Sequence, residues 1–291
     1  MADTFKLEDN RIVARAPNIW TLDGSMRFNF VKPHIARFPC RMAIIRLDGG
    51  LLLWSPLPPT PDVLTQVQAL GVVRWIVAPN SLHWLWAGAF AKAIRDAGGS
   101  VMLLAAPGLR TKPEVVATGV VWDAYLPQAA PSDWAGIVEC VHIQGIPLVE
   151  EVVLIHTPSA TLFGCELAFN FQKGHPCLDA GWPMNWYFDK MGGYRPCCAT
   201  RTFRYLSDAH AVKASIEEVL CHEFDRYVPA HGAVIETGAQ AALRAGSLDM
   251  FTEFTQPPPP QKRSAWPPLL LAAAAVVGLA IAIGRARGGK V

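Results

Sequence analysis

The sequence predicts an α/β sandwich with mixed sheets, followed by one C-terminal membrane-spanning helix. Three observations predict it. Short apolar, β-branched runs alternate with amphipathic stretches, the pattern of strands and helices packed in layers. Hairpin signals fall in both halves, so the sheets are not purely parallel. The last apolar run, Trp266 to Gly284 (WPPLLLAAAAVVGLAIAIG), carries no charge. Its helical length of ~28 Å approaches the ~30 Å of bilayer hydrocarbon.

The elements follow in order. Residues 11 to 60 read as strands. RMAIIR (41–46) and LLLW (51–54) flank Asp48-Gly49-Gly50, a hairpin turn signal. Thr60-Pro61-Asp62 reads as an N-cap with proline at the first helical position, and Gly71 as the C-cap. Val72 to Ala78 is a buried strand ending at Pro79-Asn80, with a helix from about His83 to Ala97. Val101 to Ala105 is the next strand. In the second half, Ile137 to Ile143, Glu151 to His156 and Thr161 to Cys165 read as strands, with Pro158-Ser159 as a turn. Phe171 to Thr200 is loop-like, rich in Gly, Pro and aromatic residues, and WPMNWY (182–187) reads as a packed loop over the sheet edge. Ala209 to Leu220 is an amphipathic helix, Asp225 to Pro229 a short strand before Ala230-His231-Gly232, and Ala239 to Ala245 a closing helix.

This order divides the chain into an N-terminal segment (1–14), a folded domain (15–248), a proline-rich linker (249–265), the membrane helix (266–284) and a basic tail (285–291). Pro257 to Pro260 form a short polyproline spacer. Trp266 stands at one end of the span, where interfacial aromatics belong, and Arg285, Arg287 and Lys290 stand beyond the other. The positive-inside rule alone puts the basic tail in the cytosol. The N-terminus, MADTFKLEDNRIV, has no apolar signal region. A tail-anchored arrangement with the domain facing the cytosol is therefore the expectation.

Of the 291 residues, 51% are hydrophobic and 17% charged, below the soluble average of about 25%, which suits a large core plus an apolar tail. The net charge of +2 implies no basic face, so nucleic acid is not an expected partner. The seven cysteines include no C-x-x-C pair, and reduced thiols are expected. Gly-x-Ser-x-Gly, the P-loop and G-x-G-x-x-G are absent. Cys165 lies beside Glu166, which disfavours a nucleophilic thiolate.

Three pieces in order resemble the metallo-β-lactamase fold: VVRWIVAPNSLHWLW (72–86), EVVLIHTPSATLFGCELAFNF (151–171) and DRYVPAHGAVI (225–235). More specifically, Arg41 to Leu51, Ser55-Pro56 and Leu70 to His83 resemble the DUF4336 family, a divergent branch of that superfamily. The resemblance covers about residues 15 to 245 and implies a four-layer αββα sandwich. It also implies a metal edge, and here the chain departs from the pattern. Where catalytic relatives carry His-x-His-x-Asp-His, this chain has Asn80-Ser81-Leu82-His83-Trp84-Leu85. The stretch Gly145 to Glu150 offers no histidine. Glu166 represents the bridging aspartate, and His231 before Gly232 stands where a ligand is expected.

A two-metal hydrolase needs more ligands than these. His83, Glu166 and His231 make a single-metal set of two histidines and a carboxylate, suited to one zinc or iron ion with open positions. Each has a plainer reading. His83 can line the helix start beside Trp84 and Trp86, Glu166 can bond loop amides, and His231 can be structural. Asn80 reads as bonding its own turn, His156 as structural, and His142, His175, His210 and His222 have no partner pattern. Two functions follow: a membrane-tethered mononuclear metal hydrolase, or a catalytically inactive member that binds a ligand or partner through the same edge. The substrate, the membrane and the oligomeric state are not specified by the sequence.

Overall fold

The structure is a computed structural model that describes residues 5–7, 11–31, 34–174 and 181–256. Its first half is built on one long hairpin, β3 (Ile19–Val31) and β4 (His34–Leu47), with β1 (Phe5–Leu7) and β2 (Val13–Ala16) paired antiparallel on β3. A two-residue turn at Asp48-Gly49 joins β4 to β5 (Gly50–Trp54), as its residues predict. From β5 the sheet continues in parallel through β6 (Val73–Ala78), β7 (Met102–Ala105) and β8 (Ala124–Tyr125). The second sheet has the order β12-β11-β10-β9, from β9 (Val138–Ile143), β10 (Glu151–His156), β11 (Thr161–Gly164) and β12 (Arg226–Pro229), the last parallel to β11.

Alternation along the strands assigns each residue to a layer. Ile45, Leu52 and Val77 face Val152, Leu154 and Phe163 between the sheets. Their neighbours Ile44, Leu53 and Ile76 turn outward onto α1 (Pro61–Leu70) and α2 (Ala87–Asp96), through Val63, Val67 and Phe90. Val153, Ile155 and Leu162 turn outward onto α5 (Ala209–Val219), through Val212 and Ile216. Every central strand is therefore buried on both faces, and the layers run helix, sheet, sheet, helix. This is the αββα sandwich that the resemblance implies.

The caps of α1 form as the sequence predicts: Thr60 accepts from Val63 N–H, and Gly71 closes the helix. Three expectations shift. The helix expected from His83 begins at Ala87, because Asn80 caps the residues before it into turns; α3 (Pro113–Val116) follows β7. The stretch Phe171 to Thr200 is not all loop, since α4 (Gly181–Met191) lies within it, Tyr187 and Phe188 packing on Phe171. The closing helix is longer than predicted. α6 (Ala239–Leu243) runs through a π-helical segment (Arg244–Leu248) into α7 (Asp249–Thr255), so packed elements pass residue 248. Phe251, on α7, is fully buried, which a linker residue would not be.

The predicted membrane helix, 266–284, lies outside the described residues, as do its spacer from Pro257 and the basic tail. Among the described residues, no helix is long and apolar enough to cross a membrane.

Candidate metal centre

Three chain segments leave the ends of strands from both sheets and meet at one edge. The turn after β6 carries His83. The turn after β11 carries Glu166. The turn after β12 carries His231. His83 Nε2 lies 3.0 Å from His231 Nε2, and Glu166 Oε1 lies 3.2 Å from each. These are the three residues that the sequence nominated, and they form the one such cluster among the described residues.

Each histidine is fixed from behind. His231 Nδ1–H donates to the Pro39 carbonyl at 2.7 Å, which leaves Nε2 facing the cluster. His83 Nδ1 pairs with Ser55 Oγ at 2.8 Å. Backing of this kind selects the ring tautomer and orientation of a metal-ligating histidine. Asn80, fully buried, points its Oδ1 at the Leu82 and His83 amides, and so holds the His83 turn from within. It bonds its own turn, as expected, and its oxygen is committed there. The His231 turn needs Gly232, whose φ is +98° and whose Cβ would stand 2.2 Å from the Asn170 carbonyl oxygen.

Arg41 reaches across from β4. Its Nη1 donates to the carbonyls of Pro229 (2.6 Å) and Gly232 (2.8 Å), on either side of His231, while Asp23 binds the rest of the guanidinium. The rings of Phe169 and Phe171 pack beside His231, with centroids 5.8 and 6.4 Å away. Arg41 and Ser55 were visible in the sequence as parts of a family segment. Pro39 acts through a backbone carbonyl, for which no sequence signal exists.

The charges of the three side chains are interlocked. Burial alone would raise Glu166, but hydrogen bonds and charges from His231 and His83 overcome it and hold the carboxyl near 2. Burial would lower His231, but the hydrogen bond and charge of Glu166 outweigh it and raise the imidazole. At His83 burial prevails, aided by the neighbouring His231 charge, and the imidazole is lowered.

The remaining histidines lie apart. His142 pairs with Glu150 at 3.0 Å, and His156 Nδ1 with Ser159 Oγ at 2.7 Å, a local structural bond. His210 and His222 belong to no metal cluster, and His175 lies outside the described residues. Burial and the two nearby carboxylates push the Cys165 thiol well above its ordinary value, which disfavours the thiolate. Of WPMNWY, Tyr187 is buried and Trp186 exposed, on a helix instead of a loop.

Donor chemistry and spacing fit one ion. A triangle with sides of 3.0, 3.2 and 3.2 Å has a circumradius of about 1.8 Å. Zinc bonds to nitrogen and oxygen are ~2.0–2.2 Å, so one ion just off the plane reaches all three donors.

Sheet topology and cluster together define a protein of metallo-β-lactamase fold with a single three-donor edge. Similar solved structures share the fold. A metallo-β-lactamase from Pontibacter korlensis is 16% identical, with TM-score 0.53 over 85% of this chain and 99% of that one. The metallo-β-lactamase FIM-1 from Pseudomonas aeruginosa, in a mono-zinc form, is 12% identical, with TM-score 0.55 over 87% and 97%. A metallo-β-lactamase from Hirschia baltica is 12% identical, with TM-score 0.53 over 87% and 100%. At these identities the likeness concerns the fold. No curated protein matches the sequence. Residues 17–104 match the family described as "Domain of unknown function (DUF4336)".

Proposed function

We propose that this protein is a membrane-tethered hydrolase that uses one zinc or iron ion held by His83 Nε2, Glu166 Oε1 and His231 Nε2. One observation carries the reading: two imidazole nitrogens and a carboxylate oxygen converge within 3.0–3.2 Å, with both imidazoles braced through Nδ1. The mono-zinc form of FIM-1 supports it, because a protein of this fold is there described with a single zinc. When bound, such an ion supplies Lewis acidity and water ionisable near neutral pH. The chain's own part is to present the Glu166 carboxylate and two oriented imidazoles. Phe169 and Phe171 cover the flank of His231. The apolar run 266–284 would hold the domain at a membrane, on its cytosolic side, through the proline spacer.

The test is metal analysis of the full-length protein purified in detergent. About one zinc or iron per chain is expected, falling below ~0.1 in His231→Ala. Wild-type protein below ~0.1 per chain, or a variant that keeps the wild-type content, would overturn the metal site. The competing reading is a binding module without catalysis, favoured by Asn80, whose oxygen is spent on its own turn. Turnover of chromogenic esters and phosphoesters, lost in His231→Ala, distinguishes catalysis from binding. For the tether, a chain ending at Gln256 should leave the membrane fraction and stay folded. If it remains with the membrane, the run 266–284 is not what holds it there.

A further inference from the structure

We propose that Glu151 is the positioning residue for Glu166: its carboxylate clamps the turn Cys165–Leu167, and so sets where the Glu166 oxygen stands. Glu151 opens β10 and is 1% exposed. Its Oε1 accepts from Cys165 N–H, and its Oε2 accepts from Glu166 N–H at 2.9 Å and Leu167 N–H at 2.7 Å. Three successive amides thus converge on one carboxylate, the nest arrangement by which backbone binds anions. These amides lie just past Gly164, where β11 ends, so the sheet ladder no longer supplies their acceptors.

The carbonyl side of the turn is held as well. Tyr227 Oη donates to the Ala168 carbonyl at 2.7 Å, and Ser247 Oγ to the Leu167 carbonyl at 3.4 Å. The turn that carries Glu166 hangs from side chains of β10, β12 and the π-helical segment. Glu151 supplies all the amide acceptors, and only a carboxylate has two oxygens for three donors. The arrangement is costly. Burial lifts the Glu151 carboxyl to about 7 against its three amides, and the charge of Glu166 adds to the rise. A second buried carboxylate beside the first is a poor way to make a turn, unless the turn must present Glu166 in one place. Outer partners of metal ligands act in this way. The clamp is read from geometry alone, and its effect on metal affinity rests on the metal-site reading above.

The experiment has two arms on the full-length protein. Amide hydrogen exchange at Cys165–Leu167 compares wild type with Glu151→Gln, without added metal. Faster exchange confined to that turn is expected. Zinc titration then compares the same pair, expecting a ~10–100-fold loss of affinity. The titration is repeated in a Glu166→Ala background, where Glu151→Gln should cost nothing further. If Glu151→Gln does not fold, Glu151→Asp, which keeps the charge on a shorter arm, is measured with smaller effects expected. Unchanged exchange at the three amides would overturn the proposal. So would an affinity loss of the same size with and without Glu166, because Glu151 would then act generally and not through that ligand. If wild type takes up no zinc, the metal reading fails, and the exchange arm alone decides the clamp.

Discussion

Arg41→Met tests whether the His231 turn is held from across the molecule. Arg41 is 5% exposed, and its head donates to the carbonyls of Pro229 and Gly232. Methionine fills much of the space of the stem, so the cavity cost is small. The loss is in the head. Two buried carbonyls each forfeit a donor, at about 1–3 kcal/mol apiece. Asp23 loses its pair with Arg41 but keeps Arg15 at 3.5 Å, and its side chain is 32% exposed, so solvent screens that loss. It adds less than ~1 kcal/mol. Together these give about 2–7 kcal/mol, a span that includes the ~3–5 kcal/mol of removing one partner of a buried pair. At ~2–4 °C per kcal/mol for a chain of this size, Tm should fall by about 4–28 °C. The assay is urea unfolding of wild type and variant, compared by midpoint at unchanged slope. Arg41→Lys should recover part of the loss, since an ammonium donates but lacks the fork. A loss under ~1 kcal/mol in Arg41→Met would refute the reasoning, because water would then be satisfying both carbonyls.

Further outcomes follow from the same geometry. Gly232→Ala meets both a left-handed φ of +98° and a backbone oxygen 2.2 Å from the new Cβ. It should cost about 2–4 kcal/mol and abolish metal uptake; a folded variant that binds metal normally would count against the turn's role. Glu166, held near 2, stabilises the metal-free protein above its unfolded pKa and loses that share as pH falls through about 2. His231 is raised, so its share is complete below its unfolded pKa and is lost as pH rises through the folded value. The stability gap between metal-free wild type and Glu166→Gln should be widest, at roughly 3 kcal/mol, between about pH 4.5 and 6.5. A gap that stays flat from about pH 3 to 8 would break the ion-pair account. Zinc affinity should weaken as pH falls below the raised His231 value, with about one proton released on binding; calorimetry in two buffers of different ionisation enthalpy measures it.

Much of the fold was legible because burial left a local mark. β10 and β11 are buried throughout and β6 everywhere but Arg74, and they read as largely apolar runs bounded by Pro, Ser or Gly. The caps of α1 were legible for the same reason, since Thr60 and Gly71 act on residues beside them. α4 was not. Its glycine and proline argue for a loop, while Phe188 packs on Phe38, far off in the chain. The closing helix was cut short because Gly246 interrupts a good helical pattern. In the structure it lies against the backbone of Pro196 and Cys197. A Cβ there would stand 2.2 Å from the Cys197 carbonyl oxygen, so glycine is required by close approach.

The site divides along the same line. His83, Glu166 and His231 could be named because each follows a legible strand, and an α/β fold gathers strand ends on one edge. Their distances could not be, because what sets them comes from elsewhere. Pro39 is 192 positions from His231, and Arg41 is 188 from the Pro229 carbonyl it holds. Glu151 is the instructive case. It read as the first residue of a strand, and its chain position beside the β10–β11 hairpin gives no hint of a partner. The hairpin register brings it under the turn that leaves β11, where three amides need an acceptor. A carboxylate at the start of a buried strand, opposite the exit of its hairpin partner, is therefore a signal that can be read in other chains of this kind. It becomes informative only once the register is known, because a slip of one residue would turn the same side chain to the opposite face.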